Sequence, residues 1–255
     1  MNTQSDAERC LAFINAQARP IGTPRSGADD AAARRAVTIS RQAGCGALVV
    51  GESLAQYLQA RSPKGMRPWA VFDRNLVEQV LEDHHLPKRL AKFMPEDRIS
   101  EVADTIEDLF GLHPPSWILV RKTAQTMLRL AQVGHVILIG RGGNIVTRKL
   151  PHVFHVRLVG SLEKRLEHVQ EFNHLDKEAA LEFIHREDRG RARYLRKHFH
   201  ADIDDPLLYH LVINTDLVPY GEAARFIGDA MTNGSEARPA TRTDRNSAPP
   251  ALAKA

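Results

Sequence analysis

Ala36-Val37-Thr38-Ile39-Ser40-Arg41-Gln42-Ala43-Gly44-Cys45-Gly46 is a β-branched run of strand character that breaks into a turn carrying two glycines. A helical pattern follows at once, from Ala47 through Leu58. Strand, glycine turn and helix in that order aim free backbone N–H groups and a helix N-terminus at a phosphate. A standard phosphate loop places Lys and then Ser or Thr directly after its last glycine, and Ala47 and Leu48 stand there instead. The stretch reads as a phosphate cradle without its lysine. Plain turn chemistry is the competing reading, because any tight strand-to-helix connection can use glycine.

Outward from this stretch the chain alternates. Apolar and β-branched runs predict strands at 36–40, 69–72, 136–139, 153–158 and 209–214. Amphipathic spacing predicts helices at 47–60, 74–83, 97–110, 115–133, 161–172, 177–198 and 219–231. Short buried strands between such helices imply an α/β domain with a parallel sheet covered on both faces. Ligands of such sheets bind outside the carboxyl ends of the strands. The main domain spans 36–231. Before it lie a helical appendage, 1–17, and a linker, 18–35. In the appendage Ser5 and Glu8 have capping-box spacing, and Cys10, Phe13 and Ile14 share one face that docks on the domain or binds a partner. Residues 232–255, rich in Ala, Pro, Arg, Ser and Thr, read as a disordered tail.

Bulk properties narrow the function. The chain has 255 residues, long enough for one sizeable core, with 43% hydrophobic and 26% charged residues, an ordinary soluble balance. A net charge of +4 leans toward anionic ligands and falls short of a nucleic-acid signature. Two cysteines, Cys10 and Cys45, make no disulfide framework and point to a reducing compartment. No apolar run reaches bilayer length and the start lacks signal-peptide character, so the expectation is a cytoplasmic protein.

Four further segments could carry chemistry. Asp73-Arg74, after Val71-Phe72, is an acid and base at a strand end that could orient an acceptor or a metal, or simply start a helix. Arg141 stands between glycines in Gly140-Arg141-Gly142-Gly143-Asn144, after a buried strand; arginine suits bidentate phosphate recognition. Arg186, Arg189, Arg193 and Arg196 step by three and four along a helix, so one face carries guanidinium groups, with Glu187 and Asp188 able to hold them. Such a stripe is a solvated face, a nucleic-acid contact or a clamp on transferring phosphoryl groups, and the phosphate cradle favours the clamp. Asp202, Asp204 and Asp205 lack calcium-loop spacing and read as a turn into the last strand. Cys45, at a helix mouth, is either a thiol of lowered pKa or a small residue fitting a tight loop.

In order, Thr38-Ile39-Ser40-Arg41-Gln42 with its glycine turn, Phe72-Asp73-Arg74, Gly140-Arg141-Gly142, Arg186-Glu187-Asp188-Arg189 and Asp205 through Thr215 resemble the cytidylate kinase-like family. That family is a branch of the P-loop nucleoside monophosphate kinases. The resemblance covers about 36–231. It implies a five-stranded parallel sheet flanked by helices, with the phosphate loop after the first strand and an arginine-rich helical lid at about 175–200. It implies that Arg41, Gly44, Cys45 and Gly46 meet the donor, ATP, carried with Mg²⁺ whose ligands the sequence does not identify. It assigns Asp73, Arg74 and Arg141 to the acceptor, and Arg186, Arg189, Arg193 and Asp188 to the catalytic lid. Two departures stand out: Ala47 and Leu48 in the loop, and Gly142 where cytidylate kinases carry an acid that helps read cytosine. The expected activity is phosphoryl transfer to a nucleoside monophosphate such as CMP. The alternative is a nucleotide or phospho-ligand sensor that binds without transfer.

Overall fold

Val37 and Ile39 point to one side of the first strand, Thr38 and Ser40 to the other, and all four are buried. This two-sided burial is what a central parallel strand requires. In the computed structural model, residues 35–63, 66, 68–73 and 116–233 are described. The appendage at 1–17, the helices predicted at 74–83 and 97–110, Arg74 and the far C-terminal segment lie outside them.

The described elements alternate as expected: β1 (Ala36–Arg41), α1 (Ala47–Arg61), β2 (Ala70–Phe72), α2 (Ser116–Val133), β3 (Val136–Ile139), α3 (Gly143–Val146), β4 (Val153–Val159), α4 (Leu162–Asn173), α5 (Lys177–Phe199), β5 (Leu211–Asn214) and α6 (Tyr220–Asn233). The five strands form one sheet in the order β2-β3-β1-β4-β5. Every pairing is parallel, with Ile39 of β1 opposite Ile139 of β3 and Val156 of β4. Two local features went unforeseen in the sequence. The single turn α3 follows the glycines after β3. A 3-10 turn, Pro206–Leu208, capped by the Asp205 side chain accepting the Leu207 N–H, precedes the last strand, which begins at Leu211, two residues after its predicted start.

Two apolar layers hold the sheet. On one face Val37, Ile39, Ile137, Val156 and Leu158 pack against Val50, Leu54 and Leu58 of α1 and Ala223 and Ile227 of α6. Gly51 lets α1 come down onto the sheet, since a Cβ there would lie 3.1 Å from Ile139 Cδ1. On the other face Ala36, Phe72, Val136, Leu138 and Val153 pack against Met127, Leu130 and Ala131 of α2. Each of the Val, Leu, Ile, Phe and Met side chains among them, once fully buried, stabilises the fold by about 1.5–3 kcal/mol. The topology reverses at β1, so the crevice for a ligand opens at its carboxyl end.

Candidate functional site: a glycine loop with three arginines

The loop between β1 and α1 turns through left-handed glycines, Gly44 at φ 85° and Gly46 at φ 66°. Packing as well as conformation demands glycine here. A Cβ on Gly44 would lie 2.5 Å from the Arg165 carbonyl oxygen, and one on Gly46 would run into the Tyr220 ring. Gly46 caps α1 with no side-chain hydrogen bond, and the first turn of α1 holds no acid. The helix therefore presents its N-terminal N–H groups and positive dipole end without an internal counter-charge from its own first turn. Cys45 is buried, and burial pushes its thiol pKa up. That environment favours the thiol over the thiolate, which makes Cys45 a packing residue.

Beside the loop lies a cleft of about 350 Å³ lined by residues 41–49 together with Asp73, Arg141, His168, Phe172, Glu187 and Arg191. Arg41, at the end of β1, reaches across to Asp73 at the end of β2, Nη2 to Oδ1 at 3.3 Å. Gly140, Arg141 and Gly142 are all left-handed, at φ 86°, 53° and 70°. For arginine that conformation is strained, and it persists only where the surroundings hold it. The Gly143 N–H donates to the Gly140 carbonyl at 3.0 Å, closing the turn, and the Phe199 ring fills the space where a Cβ on Gly142 would stand. The turn thus presents Arg141 to the cleft.

The third cleft arginine is one that the sequence reading passed over. Arg186, Arg189 and Arg193 lie on the exposed face of α5, and none of them lines the cleft. Arg189 folds back so that its Nε donates to the His185 carbonyl at 3.1 Å. The physical reason is helical phase: Ala180, Ile184, Tyr194 and Leu195 are the apolar residues that α5 buries, and they carry Glu187 and Arg191 inward with them. Arg191 pairs with Glu187 at 2.8 Å and with Asp188 at 3.1 Å. Its phase with Ile184 and Leu195 was the available signal.

Asp188 does more than hold an arginine. Its Oδ1 accepts the Ala43 N–H at 2.7 Å and its Oδ2 accepts from Arg165 at 2.6 Å. Arg165 in turn donates to the Ala43 carbonyl at 3.2 Å. One loop residue, Ala43, is held through its carbonyl by α4 and through its N–H by α5, so the loop's shape is fixed by tertiary contacts. Charge-assisted bonds of this kind are about twice as strong as neutral ones.

A family model described as the cytidylate kinase-like family matches residues 36–217, from β1 past β5. The chain belongs to the cytidylate kinase-like family. Among solved structures, this family member is similar to an uncharacterised protein from Eubacterium ventriosum, at 14% identity over 80% of this chain and 99% of that one, with a TM-score of 0.57. It also matches a gluconokinase from Sinorhizobium meliloti, at 13% identity over 80% and 94%, with a TM-score of 0.45. The first supports the fold. No curated protein sequence matches the chain.

The family relationship implies a nucleotide with its metal, and the residues fit the first better than the second. Among the described residues no group of three or more His, Cys, Asp or Glu is arranged to hold a metal ion. Asp73, Glu187 and Asp188 each pair with arginine, and Leu48 supplies no hydroxyl. These residues do not make a magnesium site of their own. Beneath the cleft Arg157 is buried between Ser40 Oγ at 3.0 Å and Asp204 at 2.5 Å, tying the end of β1 to the segment before β5. Among the described residues no helix is long and apolar enough to cross a membrane.

Proposed function

We propose that this chain is a phosphotransferase that moves a phosphoryl group from ATP to a small acceptor, with the nucleoside monophosphate CMP as first candidate. The observation that carries the reading is the uncapped N-terminus of α1 opening into a cleft shared with Arg41, Arg141 and Arg191. In this reading the N–H groups of Gly44 through Leu48 hold the donor phosphates, and Arg141 holds the acceptor phosphate. Arg191, kept in place by Glu187 and Asp188, neutralises charge that develops on the transferring group. Arg41 and Asp73 flank the acceptor. An acceptor that is already an ionised phosphate needs no general base, and positioning with charge neutralisation supplies the catalysis. Magnesium enters with the phosphates of the nucleotide, consistent with the ion's preference for phosphate and water oxygens. Arg186, Arg189 and Arg193 reach a bound phosphate only through movement of α5.

A second reading is favoured by one observation, the replacement of the loop lysine and hydroxyl by Ala47 and Leu48. It makes the protein a nucleotide sensor that binds without transfer. A coupled ADP-release assay with ATP and Mg²⁺ against a panel of nucleoside monophosphates, with calorimetric ATP binding on the same sample, separates the two. ADP release stimulated by CMP is the expected result. ATP binding with no turnover for any acceptor supports the sensor. Absence of both overturns the nucleotide reading altogether.

A further inference from the structure

A second cavity, of about 230 Å³, shares no described lining residue with the cleft, although its Asn144 also borders a small pocket lined by Arg41, Arg141 and Arg191. It is lined by Val153 and His155 of β4, by Asn144 of α3, by Leu150 and Pro151 and by the segment Leu207–His210. Its volume falls just below the roughly 300–1,000 Å³ usual for drug-sized ligands, so its occupant is smaller than a nucleotide.

Hydrogen bonding decides what chemistry the cavity offers. His210 Nδ1 accepts the backbone N–H of His155 at 2.9 Å, so the ring carries its proton on Nε2, as a donor. The Tyr209 hydroxyl is engaged elsewhere, donating to the Ile203 carbonyl at 2.7 Å. His155 Nδ1 bonds Thr38 Oγ1 at 2.8 Å, and burial lowers the His155 pKa to about 4, which keeps that ring neutral. Arg148 is exposed at the rim and makes no ion pair among the described residues. Asn144 is only 4% exposed, and its Nδ2 has no hydrogen-bond partner. Leaving such a buried donor unmet is costly, and native structures rarely do so. Among the described residues the lining holds donors, one formal positive charge and no carboxylate, together with apolar Leu150, Pro151 and Leu207, the last 90% exposed.

We propose that this cavity is a binding site for a small carboxylate with a short apolar body, distinct from the glycine-loop cleft. The carboxylate lies between the Arg148 guanidinium and the Asn144 amide, and the body lies against Leu150, Pro151 and Leu207. A single positive charge matches a monoanion better than a phosphate dianion. An exposed leucine at the mouth gains burial when the body of the ligand covers it.

The test titrates the full-length protein with benzoate, following the Asn144 side-chain amide resonances by NMR and binding by calorimetry. Benzyl alcohol and inorganic phosphate serve as controls. Saturable benzoate binding that shifts the Asn144 amide is the expected result. Binding should be unchanged by saturating ATP and absent for benzyl alcohol. Arg148→Gln, a change at an exposed position that leaves the fold intact, should weaken it by about tenfold, the loss of one charge-assisted contact. Leu207→Glu should do the same by repulsion at the rim. Absence of saturable binding, binding indifferent to both variants, or displacement by ATP each overturns the proposal. Phosphate shifting the same amide more strongly than benzoate would overturn the carboxylate assignment. None of these outcomes depends on turnover, so the site stands or falls separately from the proposed kinase activity.

Discussion

Arg189 and Arg191 lie two residues apart on α5 and meet opposite surroundings, the first folded back on the His185 carbonyl in solvent, the second buried between two carboxylates. A guanidinium held by a carboxylate pair keeps its orientation when the ligand arrives, which is what electrostatic preorganisation requires. Arg191→Lys keeps the charge and loses the forked geometry, so kcat should fall by about tenfold or more with a small change in stability. Arg189→Ala should leave kcat within about twofold, as expected for a solvated side chain. Steady-state kinetics on the two variants provide the check, and a large loss in Arg189→Ala would mean that α5 swings inward during turnover. His155 yields a pH prediction. Its folded pKa, about 4, lies below the unfolded value near 6.5. Between these values the unfolded chain binds more protons than the folded one. Stability is therefore intact above pH 6.5 and falls as the pH drops toward 4, by up to about 3 kcal/mol for this group. Thermal melts across that range on the wild type and on His155→Gln should show the slope flattened in the variant.

At the scale of elements, the two glycine turns combine left-handed backbone with outside packing in different proportions. The loop before α1 has two left-handed glycines pressed by Arg165 and Tyr220, and the turn after β3 has three consecutive left-handed residues with Phe199 packed against Gly142. Gly44→Ala places a methyl group against a backbone oxygen at a left-handed position, and should cost about 2 kcal/mol or more in chemical denaturation. Arg141→Gly removes backbone strain of about 1 kcal/mol, so its stability should stay near wild type while phosphate binding, followed by calorimetry, is lost. The β-branched run of β1 and the apolar run of β3 marked their strands in advance, because burial on both faces favours such runs, and β4 was legible despite the buried His155 and Arg157 within it. Arg41, Asp73 and Arg141 could be foreseen at the cleft because each stands at the carboxyl end of a strand or within two residues of it. The inward arginine of α5 was hidden, since a stripe spaced by three and four marks a face without saying whether it meets solvent or protein. Arg165 was hidden more deeply. Its role comes from the approach of α4 to Ala43, 122 residues earlier in the chain, and no local pattern encodes that distance.

For the molecule as a whole, Asp188 joins three parts: the loop through the Ala43 N–H, α4 through Arg165 and α5 through Arg191. Asp188→Ala leaves two guanidinium groups without this partner and the Ala43 N–H without its acceptor. It should lower stability by about 3 kcal/mol and speed amide hydrogen exchange in α5 and the loop together. Exchange confined to α5 would show that the loop keeps its shape without the carboxylate. The strand order carries a further consequence, for how such a chain comes into being on the ribosome. β1 has no neighbour until β3 appears, with Ala36 pairing to Val136 one hundred residues later, and its other edge waits for β4. At synthesis rates of roughly 5–20 residues per second that interval lasts about 5–20 s. For those seconds Ala36 through Arg41, the central strand of the future sheet, is a nascent strand with both sides open. The central position that gives the finished protein its cleft makes its first-made strand the one most in need of a chaperone.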